Sequence, residues 1–229
     1  MKALILVGGE GKRLWPKTEM IPKPMVQILN KPIVYYQIEW LKKYGLEEII
    51  FLTGYKNYSF KEYFGNVDLD GLKIKYSHED SPLGRGGAIK NAINKFNLHR
   101  ENLVITNGDV LTDLSLDKMM KFHFENSVLV TLMSVPYRSQ SGIVKVDEND
   151  NVIEFSEKTK LPFWINGGIY ISGPDFFNYL PEKGDHEVET FPKLAKLNQL
   201  KAFRTTQNWI SIDTMKDLDD CEEFIKTYF

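Results

Sequence analysis

Two stretches of this chain bring together residue types that could bind a polyphosphate. They are Gly8-Gly9-Glu10-Gly11-Lys12-Arg13-Leu14 and, shortly after, Pro22-Lys23-Pro24-Met25. Glycines placed directly behind an apolar run let backbone amides approach a phosphate closely, and Lys12, Arg13, Lys17 and Lys23 bring positive charge to the same loop. The sign and the spacing suit a triphosphate. The pattern is not a P-loop, because Arg13 stands where Ser or Thr is needed and Leu6 where the first glycine should be. It is not a dinucleotide fingerprint either, since the third glycine is missing and the prolines forbid an immediate helix. Farther along, Asn107-Gly108-Asp109 closes an apolar strand, the place where ligand groups gather in an open α/β sheet. Taken singly, each of these has a plainer reading: turn glycines, solvated lysines, a common Asn-Gly-Asp turn. The four histidines, His78, His99, His123 and His186, lack ligand spacing and read as surface or packing residues.

In order along the chain, G-G-x-G-x-R-L-x-P-x-T followed by P-K-P-M resembles the signature of the sugar-1-phosphate nucleotidyltransferases, the sugar-nucleotide pyrophosphorylases. The likeness continues through Pro82-Leu83-Gly84-Arg85-Gly86-Gly87-Ala88-Ile89, similar to the family's base-contacting loop, and through Asn107-Gly108-Asp109, similar to its metal-binding strand end. Glu157-Lys158 resembles its sugar-phosphate site, and Asn166-Gly167-Gly168-Ile169-Tyr170 the strand lining its sugar pocket. The resemblance implies transfer of a nucleotidyl group from a nucleoside triphosphate to a sugar 1-phosphate by direct in-line attack assisted by Mg²⁺. It implies catalytic roles for Arg13, Lys23 and Asp109. Nucleotide contacts fall to Leu6, Gly8, Gly9, Gly11, Lys12, Arg13, Glu79, Pro82, Gly84, Gly87, Asn107 and Asp109. Gly142, Glu157, Lys158, Asn166 and Gly168 would hold the sugar phosphate. A phosphate monoester is already ionised near neutral pH, so no strong general base is required of the protein.

The chain departs from the family where Trp-x-Asp-Ile-Gly-Thr is usual and Trp209-Ile210-Ser211-Ile212-Asp213-Thr214 stands instead. Side chains alternate along a strand, so Asp213 shares a face with Ser211 and is expected to bind the metal with Asp109. For the base, guanine offers N1–H and an amino group as neighbouring donors, which one carboxylate can accept together. Glu79, just before Pro82-Leu83-Gly84, is that candidate. It makes GTP the favoured donor, and its place before Pro-Leu-Gly resembles that of a glutamate in the family members that activate mannose or heptose with GTP, a resemblance that implies a mannose- or heptose-type phosphate as the favoured acceptor. Asp213-Thr214 is similar to the cytidylyl members, which keeps a cytidylyl- or uridylyltransferase open. Two further alternatives are transfer to a phosphorylated non-sugar alcohol and a catalytically silent nucleotide-binding regulator.

The elements that must carry these groups alternate through the first half. Ala3 to Val7 reads as a buried strand, and Pro32 opens a helix that runs to Gly45. Glu48 to Thr53, Leu72 to Tyr76 and Asn102 to Thr106 read as strands, with helices over Tyr58 to Phe64, Gly87 to Phe96 and Leu116 to Phe124. Strands then follow at Val128 to Val135, Ile143 to Val146, Val152 to Phe155 and Ile165 to Ile171, the middle two forming a hairpin. Helices over Glu187 to Leu197 and Met215 to Tyr228 close the chain. The expectation is an α/β, Rossmann-like, mostly parallel mixed sheet flanked by helices. It forms a single domain over 1–229, with a nucleotide-binding half of about 1–125 and a sugar-binding half of about 126–229.

Composition narrows the classes. The 229 residues include 29 basic and 31 acidic ones, so no electrostatic surface for nucleic acid is indicated. No apolar run is long enough to cross a bilayer. The lone cysteine, Cys221, allows neither an intramolecular disulfide nor a cysteine metal site, which fits a reducing cytoplasm. The expected partners are the two substrates, with neither nucleic acid nor membrane and with a homo-oligomer left open.

Overall fold

The computed structural model describes residues 1–229 other than 66, 68, 140 and 158. The apolar run after Lys2 forms strand β1 (Lys2–Leu6). A short ribbon, β2 (Gln27–Ile28) and β3 (Lys31–Pro32), precedes helix α1 (Ile33–Lys42), whose N-cap is Pro32. Then come β4 (Glu48–Thr53), α2 (Tyr58–Phe64), β5 (Lys73–His78), α3 (Gly84–Phe96), β6 (Leu103–Asn107), β7 (Val110–Thr112) and α4 (Leu116–Asn126). The second half holds β8 (Val130–Arg138), the hairpin of β9 (Ile143–Val146) and β10 (Val152–Ser156), and the long β11 (Lys160–Ser172). It ends with α5 (His186–Glu189), α6 (Phe191–Lys196), β12 (Leu200–Arg204), β13 (Trp209–Ser211) and α7 (Met215–Tyr228).

Seven strands form one sheet in the order β12-β8-β11-β6-β1-β4-β5. β11 runs antiparallel to both its neighbours, and the other pairings are parallel, so the chain has the expected α/β architecture. Its central strands are buried on both faces because helices cover each side. Along β1, Ala3 and Ile5 join Ile49, Phe51 and the α1 residues Val34, Ile38 and Leu41 in one apolar cluster. Leu4 points the other way, into a cluster with Ile50, Leu52, Ile89 and Ile93 of α3 and Leu194 of α6. A third cluster packs Leu14, Val26 and Ile33 against Ile212, Leu218, Cys221 and Ile225. Each wholly buried Leu or Ile contributes about 1.5–3 kcal/mol, and this last cluster ties α7 to the glycine-rich loop.

Several elements differ from the sequence reading: β2, β3, β7 and β13 are additional, and β11 starts at Lys160 rather than Ile165. Helix α3 starts at Gly84 rather than Gly87, because its glycines are helix surface against which another segment packs. The helix expected over Glu187 to Leu197 is two short ones, the second carrying in its first turn Pro192, which has no N–H to continue the first. The edge strand β12, half-buried only at Leu200 and Phe203 and pairing among the described residues only with β8, carries no apolar run to mark it. Among the described residues, no helix is long and apolar enough to cross a membrane.

Candidate active site

The glycine-rich loop leaves β1 with Val7 donating to the Leu52 carbonyl (3.1 Å) and returns through two 3₁₀ turns, Lys12–Leu14 and Lys23–Met25. Gly11 has φ 66°, and a Cβ there would lie 2.8 Å from the Lys23 Cβ, so only glycine lets the two turns meet. The Thr18 hydroxyl donates to the Gly11 carbonyl (2.8 Å), and Leu14 is fully buried. With Leu14 anchored, Arg13 is left facing the cleft. On the neighbouring strand end the Gly108 N–H donates to the Leu6 carbonyl (2.9 Å), and a Cβ on Gly108 would sit 2.8 Å from that oxygen. Beneath this turn, the Gln37 side chain is 2% exposed and donates to the Asn107 and Val110 carbonyls at 2.7 and 2.5 Å.

These pieces enclose a cleft of about 620 Å³. Its walls are the glycine loop, Leu52, Glu79, Pro82, Gly84, Arg85, Ala88, the Asn107–Asp109 turn and Asp213. Of the expected nucleotide contacts, Gly87 alone stands outside this lining. A Cβ on Gly87 would lie 2.6 Å from the Glu182 carbonyl, so its role is to let the 181–186 segment press onto α3.

Charge converges on Lys23, which is 9% exposed. Its ammonium lies 2.5 Å from Asp109 Oδ2 and 2.8 Å from Asp213 Oδ1, and Arg13 donates to the same Asp213 oxygen at 2.7 Å. Burial would raise the Asp213 pKa, but hydrogen bonding and attraction from Lys23, with Arg13 behind it, hold the carboxyl below its usual range. Strand β13 ends at Ser211 and pairs Ser211 with Val110, while Ile212 donates its N–H to the Asp109 carbonyl (2.9 Å). The alternation expected of Ser211 and Asp213 survives past the strand end: the Ser211 hydroxyl donates to Asp213 Oδ2 at 3.3 Å. Beyond it, Thr214 and Asp217 form a capping box at the start of α7, which fixes the chain leaving Asp213.

Asp109 and Asp213 thus share one cationic nitrogen. Two hard carboxylates so placed suit Mg²⁺, which takes few protein ligands and completes its shell with water and phosphate. Among the described residues, no group of three or more His, Cys, Asp or Glu offers a fuller cage. Glu79 accepts the Leu83 N–H through Oε2 (3.0 Å). Its Oε1 occupies space left by two glycines, since a Cβ on Gly54 would come within 2.8 Å of it and one on Gly8 within 3.2 Å.

On the acceptor side, the expected residues fall into two places, both outside the cleft lining. A Cβ on Gly142 would be 3.1 Å from Glu157 Oε1, which joins the start of β9 to the exposed Glu157 beyond β10. On β11, Gly168 has φ 75°, and a Cβ there would lie 2.8 Å from Asn107 Nδ2, so this strand abuts the cleft floor. Asn166 donates to the Tyr170 hydroxyl (2.8 Å) and accepts the Gly168 N–H (3.0 Å). Lys158 lies outside the described residues. Sequence reasoning missed Gln37, Gly54, Asp185 and Glu187, and gave Arg85 no contact of its own; the partners of these residues are far away in the chain, where no local spacing could announce them.

Comparison with known proteins agrees with this geometry. The family model described as nucleotidyl transferase matches residues 2–227. A D-glycero-alpha-D-manno-heptose 1-phosphate guanylyltransferase from Aneurinibacillus thermoaerophilus is 37% identical over 233 aligned residues that cover 100% of both chains. A protein of the same name from Campylobacter jejuni is 44% identical over 179 residues, 78% of each chain. Among solved structures, HddC from Yersinia pseudotuberculosis complexed with GMP-PN superposes with a TM-score of 0.78 at 27% identity, covering 98% of this chain and 99% of that one.

Proposed function

The chain belongs to the nucleotidyl transferase family, and from that premise we propose that it transfers a guanylyl group from GTP to D-glycero-α-D-manno-heptose 1-phosphate, releasing pyrophosphate. The acceptor's phosphate oxygen attacks the α-phosphorus of GTP. One P–O bond forms, the bond to the β-phosphate oxygen breaks, and pyrophosphate leaves with that electron pair. Such a step asks the protein for alignment and charge neutralisation more than for proton transfer.

The observation that carries this reading is the convergence of Arg13, Lys23, Asp109 and Asp213 on a cleft that also holds Glu79. Gly8, Gly9 and Gly11 supply backbone amides to the triphosphate, and Arg13 and Lys23 stabilise charge growing on the leaving group. Asp109 and Asp213 would hold Mg²⁺, which when bound supplies further neutralisation of the phosphates. Glu79 keeps one oxygen on Leu83 and has lone pairs left for the two neighbouring guanine donors. Glu157, Lys158 and Asn166, with Gly142 and Gly168 giving room, take the acceptor. The end-to-end match with a heptose 1-phosphate guanylyltransferase favours heptose over mannose.

The test is kcat/KM for GTP, CTP, UTP and dTTP with heptose and mannose 1-phosphates, repeated on Glu79→Gln. GTP is expected to lead by roughly 10²-fold or more, as a site built around a buried hydrogen bond allows, and Glu79→Gln to erode that lead. Preference of the wild type for CTP or UTP would overturn the guanine assignment.

A further inference from the structure

Arg85 extends from the start of α3, where the base loop turns into helix, and reaches two carboxylates on the 185–187 segment, distant in sequence but packed against the loop. Its Nε and one Nη donate to Asp185 Oδ2 at 2.8 and 2.6 Å, and the other Nη donates to Glu187 Oε1 at 2.6 Å. That Glu187 oxygen also accepts the Tyr170 hydroxyl at 2.7 Å. Tyr170, 1% exposed, receives the Asn166 amide in turn, and Asn166 closes the chain on the Gly168 N–H.

Backbone contacts hold the Arg85 end of this relay to the segment that carries its carboxylates. The Gly86 N–H donates to the Gly184 carbonyl (2.9 Å), and the Gly184 N–H to the Leu83 carbonyl (2.8 Å). Each link therefore has a fixed direction. The guanidinium can only donate, so Glu187 must accept; the Tyr170 hydroxyl then spends its single proton on Glu187 and can only accept from Asn166. This polarity fixes the Asn166 side chain with its NH₂ toward Tyr170 and its oxygen toward Gly168. One N–H and one lone pair of an exposed amide remain available to a ligand.

We propose that Arg85 and Glu187 are positioning residues for the acceptor, which act through Tyr170 to orient the Asn166 amide toward the sugar. The assignment rests on the acceptor reading of Asn166 given above. Its chemistry is that of a polyhydroxylated substrate, whose hydroxyl groups can each accept from and donate to an amide of known orientation.

The test is steady-state kinetics with GTP and heptose 1-phosphate on Tyr170→Phe, Glu187→Ala, Glu187→Gln and Asn166→Ala, with GTP affinity measured directly by calorimetry. Tyr170→Phe and Glu187→Ala are expected to raise the acceptor KM about five- to tenfold, the usual scale for one lost hydrogen bond, with GTP affinity within about twofold of wild type. Glu187→Gln keeps an acceptor oxygen for both donors and should recover most of the acceptor KM lost in Glu187→Ala. Calorimetry on the same preparations separates a misfolded variant from a repositioned one. An acceptor KM unchanged in Tyr170→Phe, while Asn166→Ala raises it, would overturn the relay and leave the sugar reading standing. An unchanged KM in Asn166→Ala would remove the sugar reading and the relay with it.

Discussion

The surroundings of Lys23 and those of Glu157 are both polar and both expected to meet a phosphate, yet they are built on opposite plans. Lys23, Leu14, Met25 and Thr18 are all buried, and the groups around them leave the ends of central strands whose positions the core decides. Glu157 follows a two-stranded hairpin that, among the described residues, pairs with no other strand, and the hairpin side chains Val152, Ile153 and Phe155 are each more than 60% exposed. An isolated hairpin of two strands is at best marginally stable in water. The cleft is thus organised before any ligand arrives, whereas the acceptor side leans on β11 and the relay beneath it. Under the proposed function, a scaffold so divided would keep one donor chemistry constant and leave acceptor choice to the less constrained part.

The strongest way to break this comparison is at the preorganised centre. Asp109→Asn takes away a charge that Lys23 now shares with Asp213, and pyrophosphate release should fall by about 10³-fold while the melting temperature holds within a few degrees. Asp213→Asn should follow it, with Ser211→Ala nearly normal. The reverse ranking of Asp213 and Ser211 would show that the metal ligand had been placed wrongly.

Next in size is the crossing of the base loop and the return segment. Gly84 has φ 76°, and a Cβ there would lie 2.5 Å from the Gly184 carbonyl, so Gly84→Ala should cost about 2–4 kcal/mol in a denaturant melt. Gly71, with φ 81° and open space around it, isolates the backbone cost alone, and Gly71→Ala should lose only about 1 kcal/mol. Equal losses at both sites would mean that the two segments are not in fixed contact.

On the acceptor side a smaller and more selective effect is expected. Lys158→Ala should raise the heptose 1-phosphate KM roughly ten- to a hundredfold and leave that of GTP alone, the cost of one charge-assisted contact. Equal weakening of both substrates would erase the proposed division of labour.

The smallest effect sharpens the comparison at the joint itself. His186 is fully buried between the Tyr170 and Phe191 rings, and burial pushes its pKa down to about 4, with Arg85 adding to the shift and Asp185 opposing it. The folded form therefore resists a proton that the unfolded chain accepts near pH 6.5. The neutral-His state is fully stabilised above that pH, and stability declines as the pH falls from about 6.5 toward 4, by at most about 1.4 kcal/mol per unit. His186→Leu should flatten that slope in urea melts at pH 7, 6 and 5. An unchanged slope would assign the acid sensitivity to other groups.

Much of this organisation was legible in the sequence. The continuous apolar runs located β1, β4 and β6, and the glycines and lysines behind them indicated which strand ends would line the cleft. Alternation on a short strand was enough to place Asp213 beside Ser211. What stayed hidden has a common physical cause. Gly84 and Gly86 looked like loop residues because a glycine that admits a neighbouring backbone is indistinguishable, in one dimension, from a glycine that turns the chain. Arg85 had no role in the sequence reading because its carboxylates lie a hundred positions later in the chain. The edge strand β12 takes its place from pairing with β8, and pairing leaves no mark on local hydropathy.

The reversed strand β11 has a consequence for how the molecule comes into being. A chain synthesised from its N-terminus completes β1, β4, β5 and β6 well before it reaches Lys160, and through that interval β6 presents an unpaired edge beside the apolar Leu103, Val104 and Ile105. Such edges template aggregation until they are covered. The strand that covers this one is also the strand that bears Asn166 and Gly168. A nascent chain halted before β11 would therefore be sticky and, if Asn166 and Gly168 serve the acceptor as proposed, blind to it as well, so both demands would fall on the same thirteen residues.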